Sequence, residues 1–108
     1  MARPSSFSPE LAEVLFERQA KGEPLALICS DDDMPCFTTV WRWERDNEEF
    51  RKLSVRAREL GTHFMAGDCI RIADGSGDPA DKRIKIDTRL RLIGKWNAKN
   101  YGEKVSHV

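Results

Sequence analysis

Apolar side chains recur at intervals of three and four along most of this chain, and that interval predicts helices rather than strands. Ser8 followed by Pro9 opens the first helix: a hydroxyl that can cap free backbone N–H groups, then a proline at the first helical position. Leu11, Val14 and Leu15 form its apolar stripe with Arg18 in step, and Gly22 stops it just after Lys21. Pro24 opens a second, short helix carrying Leu25, Leu27 and Ile28, which ends at the acidic triplet Asp31, Asp32, Asp33. Those carboxylates sit badly against the negative end of one helix and well before the positive start of the next. Met34-Pro35 forces an extended step, and a third helix starts at Pro35 or Cys36 and runs through FTTVWRWERD.

Asn47 is placed to cap a fourth helix, with Glu48 and Glu49 in its first turn. This helix covers about residues 48–74, roughly 40 Å at ~1.5 Å per residue. Phe50, Leu53, Ala57, Leu60 and Phe64 step alternately by three and four, the spacing of a heptad seam. Beyond Gly61 and Gly67 the stripe moves to Met65, Cys69 and Ile72. The run Asp74-Gly-Ser-Gly-Asp-Pro79 is a turn. A fifth helix follows over about 80–97, with Ile86, Leu90, Ile93 and Trp96 on one side. The fold class expected is therefore all-α: an N-terminal helix-turn-helix domain of three helices, then a long antiparallel helical hairpin. The divisions are an arm over residues 1–8 (Pro- and Ser-rich, read as loose), a helix-turn-helix domain over 9–46, a hairpin over 47–98 and a short tail over 99–108.

Composition narrows the function classes. With 108 residues the chain is one domain or two small helical subdomains, and three Trp and five Phe supply enough bulk to rule out disorder. No apolar run approaches the roughly 18 residues of a membrane span. The N-terminus has no apolar leader segment and there is no phosphate-binding GxxxxGK[ST]. Formal net charge is zero, but charge is blocked along the chain: residues 23–36 carry four acids and no base, 37–58 six bases against four acids, 59–81 one base against five acids, and 82–108 eight bases against two acids. A polyanion could therefore meet selected surfaces only, and the competing explanation is pairing between blocks, within one chain or between copies.

No Ser/His/Asp or Cys/His arrangement is visible, so no enzymatic activity is expected. Cys29, Cys36 and Cys69 lack CxxC spacing, and only His63 and His107 could join them, so they read as reduced thiols and no metal or cofactor is expected. Turn and cap duty explains Asp31–Asp33 better than Mg²⁺ binding.

The third helix carries the best candidate chemistry. In a helix-turn-helix, the second helix turns some residues onto the scaffold and others toward the DNA major groove. Val40 and Trp43 are placed inward; Thr38, Thr39, Trp41, Arg42 and Arg45 are placed outward as DNA-binding candidates. A guanidinium such as that of Arg42 can read guanine or clamp phosphate, and hydroxyls near a helix start suit phosphate oxygens. Spacing alone leaves open that Thr38 is a cap and the arginines are solvated charges. The hairpin has no chemical constellation, and its apolar positions suit association with copies of the same chain: Phe50, Leu53, Ala57, Leu60, Phe64, Leu90, Ile93 and Trp96. The basic run Lys82, Arg83, Lys85, Arg89, Arg91, Lys95 and Lys99 can pair with a neighbour's Glu59, Asp68 and Asp74, or face DNA.

Several segments, taken in order, resemble one family. Ile28-Cys29-Ser30-Asp31-Asp32-Asp33-Met34-Pro35, Thr39-Val40-Trp41-Arg42-Trp43 and Asn47-Glu48-Glu49-Phe50 are similar to the start of bacteriophage terminase small subunits of the Sf6-like family. Arg56-Ala57-Arg58-Glu59, Ile72-Ala73-Asp74, Ile86-Asp87-Thr88-Arg89 and Lys99-Asn100-Tyr101-Gly102-Glu103-Lys104 resemble its second half. Each motif is weak alone; together and in order they are specific.

The resemblance implies that the helix-turn-helix binds double-stranded viral DNA at a packaging site. It also implies that the hairpin builds a ring-shaped homo-oligomer. A separate terminase large subunit then supplies ATPase and nuclease activity, and the small subunit, in the host cytoplasm, recognises DNA and regulates that motor. The family usually continues past Tyr-Gly into a β-strand segment. Here only Glu103–Val108 follows, so that module is expected to be abbreviated or missing. Pro24 stands where the family often has a capping Ser. The alternative is a transcription regulator or transposase-type DNA-binding domain, which would be a monomer or dimer on palindromic half-sites.

Overall fold

The computed structural model describes residues 3–102. They form six helices: α1 Pro9–Ala20, α2 Leu25–Ile28, α3 Phe37–Asp46, α4 Glu48–Asp74, α5 Pro79–Trp96 and α6 Ala98–Tyr101. The all-α class and the helix-turn-helix followed by a hairpin are as the spacing predicts. The chain divides into two compact units, Met1–Gly61 and Thr62–Val108, with the boundary inside α4. The expected tail segment Glu103–Val108 lies outside the described residues.

Local chemistry sets the helix ends. Ser8 accepts a hydrogen bond from the Leu11 backbone N–H at 3.1 Å, with Pro9 at the first helical position. Gly22 leaves α1 at φ 90°, a conformation that only glycine adopts cheaply. Asn47 Oδ1 accepts from the Phe50 N–H at 3.0 Å and starts α4. Asp78 caps α5 through the N–H groups of Ala80 and Asp81.

In the first unit α1, α2, α3 and the start of α4 close around Ala12, Leu15, Leu25, Ile28, Cys29, Met34, Val40, Trp43 and Phe50. Phe50 is the hub of its aromatic part. Its ring lies 5.2 Å from Phe16 and 6.0 Å from Trp43, and Phe7 stands edge-on to both Trp43 and Phe50. The segment that reads as a loose arm is thus tied in at Phe7, and again where Arg3 Nη1 donates to the Cys29 carbonyl at 2.7 Å. On α1 the buried face is Ala12, Leu15 and Gln19, while Val14, expected in the stripe, is exposed.

The face of α4 used in the first unit is Phe50, Ser54, Ala57 and Gly61. Small residues let the end of α1 come close: a Cβ at Gly61 would lie 2.2 Å from the Gln19 carbonyl oxygen. The buried Gln19 side chain fills the crossing, donating to Leu15 O and Ser54 Oγ. Arg58 Nη1 then joins Gln19 Oε1, Ser54 Oγ and Glu44 Oε1, the last at 2.7 Å. These bonds link α1, α3 and α4 and fix how α3 is presented.

In the second unit α5 returns antiparallel to the end of α4. Lys82 Nζ donates to Ala73 O beside the turn, and at the far end Asn97 Nδ2 donates to Thr62 Oγ1 at 2.8 Å, both groups buried. Asn97 also ends α5 and starts α6, a helix the hydrophobic spacing does not predict. His63 Nδ1 lies 2.6 Å from the Tyr101 hydroxyl, pinning α6 back onto α4. No helix among the described residues is long and apolar enough to cross a membrane.

Candidate nucleic-acid interface

At 100° per residue, Thr38, Trp41, Arg42 and Arg45 fall on one face of α3, opposite Val40 and Trp43. The structure bears this out: Val40 and Trp43 are buried, and those four are exposed, Trp41 to 56%. Thr39 is the exception. It is 6% exposed, on the inward side next to Trp43, so its outward placement is corrected. Its hydroxyl is turned to Cys36 Sγ, 3.1 Å away, with Thr38 Oγ1 at 3.3 Å from the same sulfur.

Cys36, rather than Thr38, is the N-cap of α3. Hydrogen bonds from Thr38 first, then Thr39, to Sγ favour its thiolate and lower its pKa to about 6. Burial pushes the thiols of Cys29 and Cys69 the other way. All three cysteines are free.

The arginines of α3 differ in their ties. Arg45 donates through Nε and Nη2 to the Asp46 carboxylate at 2.9 and 3.3 Å, and its guanidinium carbon lies over the Trp41 ring, 5.7 Å from the centroid. Arg42 points into solvent four residues before Asp46. Glu44, the other acid of α3, is turned aside and held by Arg58. The acidic turn before α3 is also partly neutralised within the chain. Arg18 Nη1 meets Asp31 at 2.7 Å while its Nε holds Glu23 at 2.6 Å, and Arg3 lies 3.7 Å from Asp32. These bonds raise the Arg18 pKa further, and Arg18 lowers that of Glu23. Pairing between charge blocks is therefore real within this unit.

The residues expected to drive association do not share one face. Phe50 is taken into the core of the first unit, because it lies in the first turn of α4, three residues after the Asn47 cap. Ala57 is buried against its own unit as one of the small residues of α4, and Ile93, at 1% exposure, is enclosed in the second. These three are corrected as seam residues. Leu53 and Leu60 are exposed in the first unit, and Phe64, Leu90 and Trp96 in the second, where Ile70 and Ile84 are exposed as well. Among the basic residues of α5, Arg83 approaches Asp87 at 3.9 Å and Arg89 donates to Lys85 O. Asp68, expected to serve a neighbour, is held by Arg71 of its own helix.

The model of the family described as "Bacteriophage Sf6, terminase small subunit-like" matches residues 7–108. The chain belongs to that family. Among solved structures, single-substitution variants of the terminase small subunit gp1 of the bacterial virus Sf6 superpose on it. One has a TM-score of 0.81 at 31% identity, and two more have 0.80 at 30%; each match covers 97% of this chain and 84% of the other. No curated protein matches. Membership in this terminase family associates the chain with phage genome packaging.

Two features of the terminase α3 went unread in the sequence. Asp46 follows Arg42 by four residues, a spacing that places an acid beside an arginine on a helix surface. Cys36 stands two and three residues before Thr38 and Thr39, whose hydroxyls can reach back to it.

Proposed function

We propose that this chain is the DNA-recognition and regulatory subunit of a phage packaging terminase, without catalytic activity of its own. Helix α3 enters the major groove with Thr38, Trp41, Arg42 and Arg45 toward the duplex. Arg42 and Arg45 grip phosphate or guanine edges, and Thr38 approaches phosphate near the helix start. Copies associate through Leu53, Leu60, Phe64, Leu90 and Trp96 into a homo-oligomer, in ring form. A separate large subunit supplies ATP hydrolysis and DNA cleavage, and the assembly works in the host cytoplasm.

The observation that carries this reading is the two-sidedness of α3 in a chain of this family. Val40 and Trp43 lock one side into the core, and two arginines stand on the other with a tryptophan and a threonine. A single small module of this kind binds non-specific DNA with Kd near ~10⁻⁴–10⁻⁶ M. Many modules in one assembly tighten that by about 10²–10⁴ through local concentration alone.

Solution mass and retention of double-stranded DNA, measured on one sample, test the proposal. The expected result is an assembly well above a dimer that retains DNA in a salt-dependent way and loses it in Arg42→Ala/Arg45→Ala. A double variant that binds as tightly as the parent refutes the role of α3. A monomer or dimer confined to palindromic sites points instead to a transcription-type regulator.

A further inference from the structure

We propose that Asp46 is a built-in competitor for the DNA phosphate, occupying the grip of Arg45 and so restraining the affinity of α3 for duplex. The inference rests on the reading of α3 as the DNA-facing helix.

A guanidinium binds an oxyanion best through two parallel N–H groups on one edge. In this chain that edge of Arg45 is taken: Nε donates to one oxygen of Asp46 and Nη2 to the other, at 2.9 and 3.3 Å. The central carbon of the same group lies over the Trp41 ring, 5.7 Å from its centroid. Arg45 is therefore held in place on the outer surface of α3 with its phosphate-binding edge filled. Among the described residues nothing other than Arg45 bonds to the Asp46 carboxylate. The cap of α4 is Asn47, and α3 ends on the Asn47 N–H bond to Trp43 O. The carboxylate also lies close enough to Arg42 for that charge to help keep it ionised, after the larger effect of Arg45. One acid thus offsets two arginines of the proposed reading face.

A duplex meeting α3 must displace Asp46 from Arg45 and accept a carboxylate next to its own phosphates. Both effects oppose binding to any sequence. The exposure of the pair makes this a restraint and not a block, because surface ion pairs are weak and exchange readily with solvent.

Asp46→Asn keeps the size of the side chain and suits a helix end, so the full chain remains folded. It removes the charge and weakens the hold on Arg45. We expect Asp46→Asn to bind short duplexes of two unrelated sequences about three- to tenfold tighter than the parent, with a salt slope steeper by about one phosphate contact. In an Arg45→Ala background the gain from Asp46→Asn shrinks to less than half, because the released grip is absent. Fluorescence anisotropy over a salt series reads these four proteins and Arg42→Ala as a fifth. Unchanged or weaker binding of Asp46→Asn, beside a parent that binds and is weakened by Arg42→Ala, overturns this inference alone. An undiminished gain in the Arg45→Ala background, or a gain on only one sequence, overturns it too. A parent that retains no duplex overturns the reading of α3 and this inference with it.

Discussion

Gly61→Ala adds one methyl group to a buried helix crossing and is expected to unfold much of the first unit's advantage. The new Cβ would lie 2.2 Å from the Gln19 carbonyl oxygen, and 3.4 Å from both the Gln19 carbonyl carbon and the Gly22 Cα. All three are backbone atoms, so no rotamer change relieves the clash. Gln19 cannot move off alone either: its buried side chain is bonded to Leu15 O, Ser54 and Arg58. The helices must part by close to an ångström. Overpacking of this kind costs about 1–3 kcal/mol, and a clash with fixed backbone belongs at the upper end. Replacing a mid-helix glycine by alanine returns up to ~1 kcal/mol of helix propensity. The net loss is about 2 kcal/mol, roughly a 10 °C fall in Tm for a domain of this size. Gly67→Ala on the same helix is the control. Nothing lies within 4 Å of its Cβ, so only the propensity gain of up to ~1 kcal/mol remains, and Tm rises. Urea unfolding followed by far-UV circular dichroism, at one fixed protein concentration because association shifts apparent stability, compares the three proteins. Equal stability of Gly61→Ala and parent, or shifts of the same sign for the two variants, refutes the close-crossing argument.

Asn97→Ala removes the buried bond to Thr62 and is expected to cost about 1–3 kcal/mol and to speed amide exchange in α6; unaltered exchange there would show that Asn97 does not hold α6. Cys36, with a pKa of about 6, is expected to react with iodoacetamide at neutral pH well before Cys29 and Cys69, whose thiols burial pushes up; peptide mass spectrometry reads the order, and labelling of Cys69 first contradicts it. Glu23 has its pKa lowered in the folded state by Arg18, so its contribution is present above the unfolded carboxylate pKa and is lost as pH falls through the lower folded value. Acid unfolding of Glu23→Gln is accordingly expected to show a shallower pH dependence below the ordinary carboxylate range, and an unchanged slope counts against the pair.

What could be read from the sequence was mainly local. Ser8-Pro9, Asn47 with its two glutamates, and the Gly-rich turn before Pro79 act within a few residues, so the helix limits they imply agree with α1, α4 and α5. The inward pair Val40 and Trp43 was legible because one helical turn separates them. What was not legible depended on which neighbour a face meets. A search for bulky apolar positions selects Leu53 and Leu60, yet the face of α4 that packs in the first unit carries Ser54, Ala57 and Gly61, since close helix approach asks for small side chains. The same blindness placed Thr39 outside, where its hydroxyl was weighed and its register beside Trp43 was not. Helix α6 escaped because its anchor is a buried amide, and Phe7 because a Pro- and Ser-rich segment gives no sign that one ring in it will find Trp43 and Phe50.

Burial of apolar side chains is uneven between the two units. The first unit has a continuous core in which Leu15, Ile28, Val40, Trp43 and Phe50 are buried, although Leu27, Trp41, Leu53, Val55 and Leu60 stay exposed around it. Among the described residues of the second unit, the buried apolar side chains are Met65, Cys69 and Ile93, while Phe64, Ile70, Ile84, Leu90 and Trp96 stay exposed. Two helices and a short third cannot cover both sides of themselves, and units this small commonly need a metal, disulfides or association to be stable. Its only cysteine is free. Fully burying one large apolar side chain is worth about 1.5–3 kcal/mol, so covering several at once by sister chains yields a gain comparable to the whole stability of a small domain. The proposed division of labour follows from that imbalance: a front unit stable enough to hold α3 rigid, and a rear unit whose stability is completed by its neighbours, so that duplex-binding faces are brought together wherever the rear units meet.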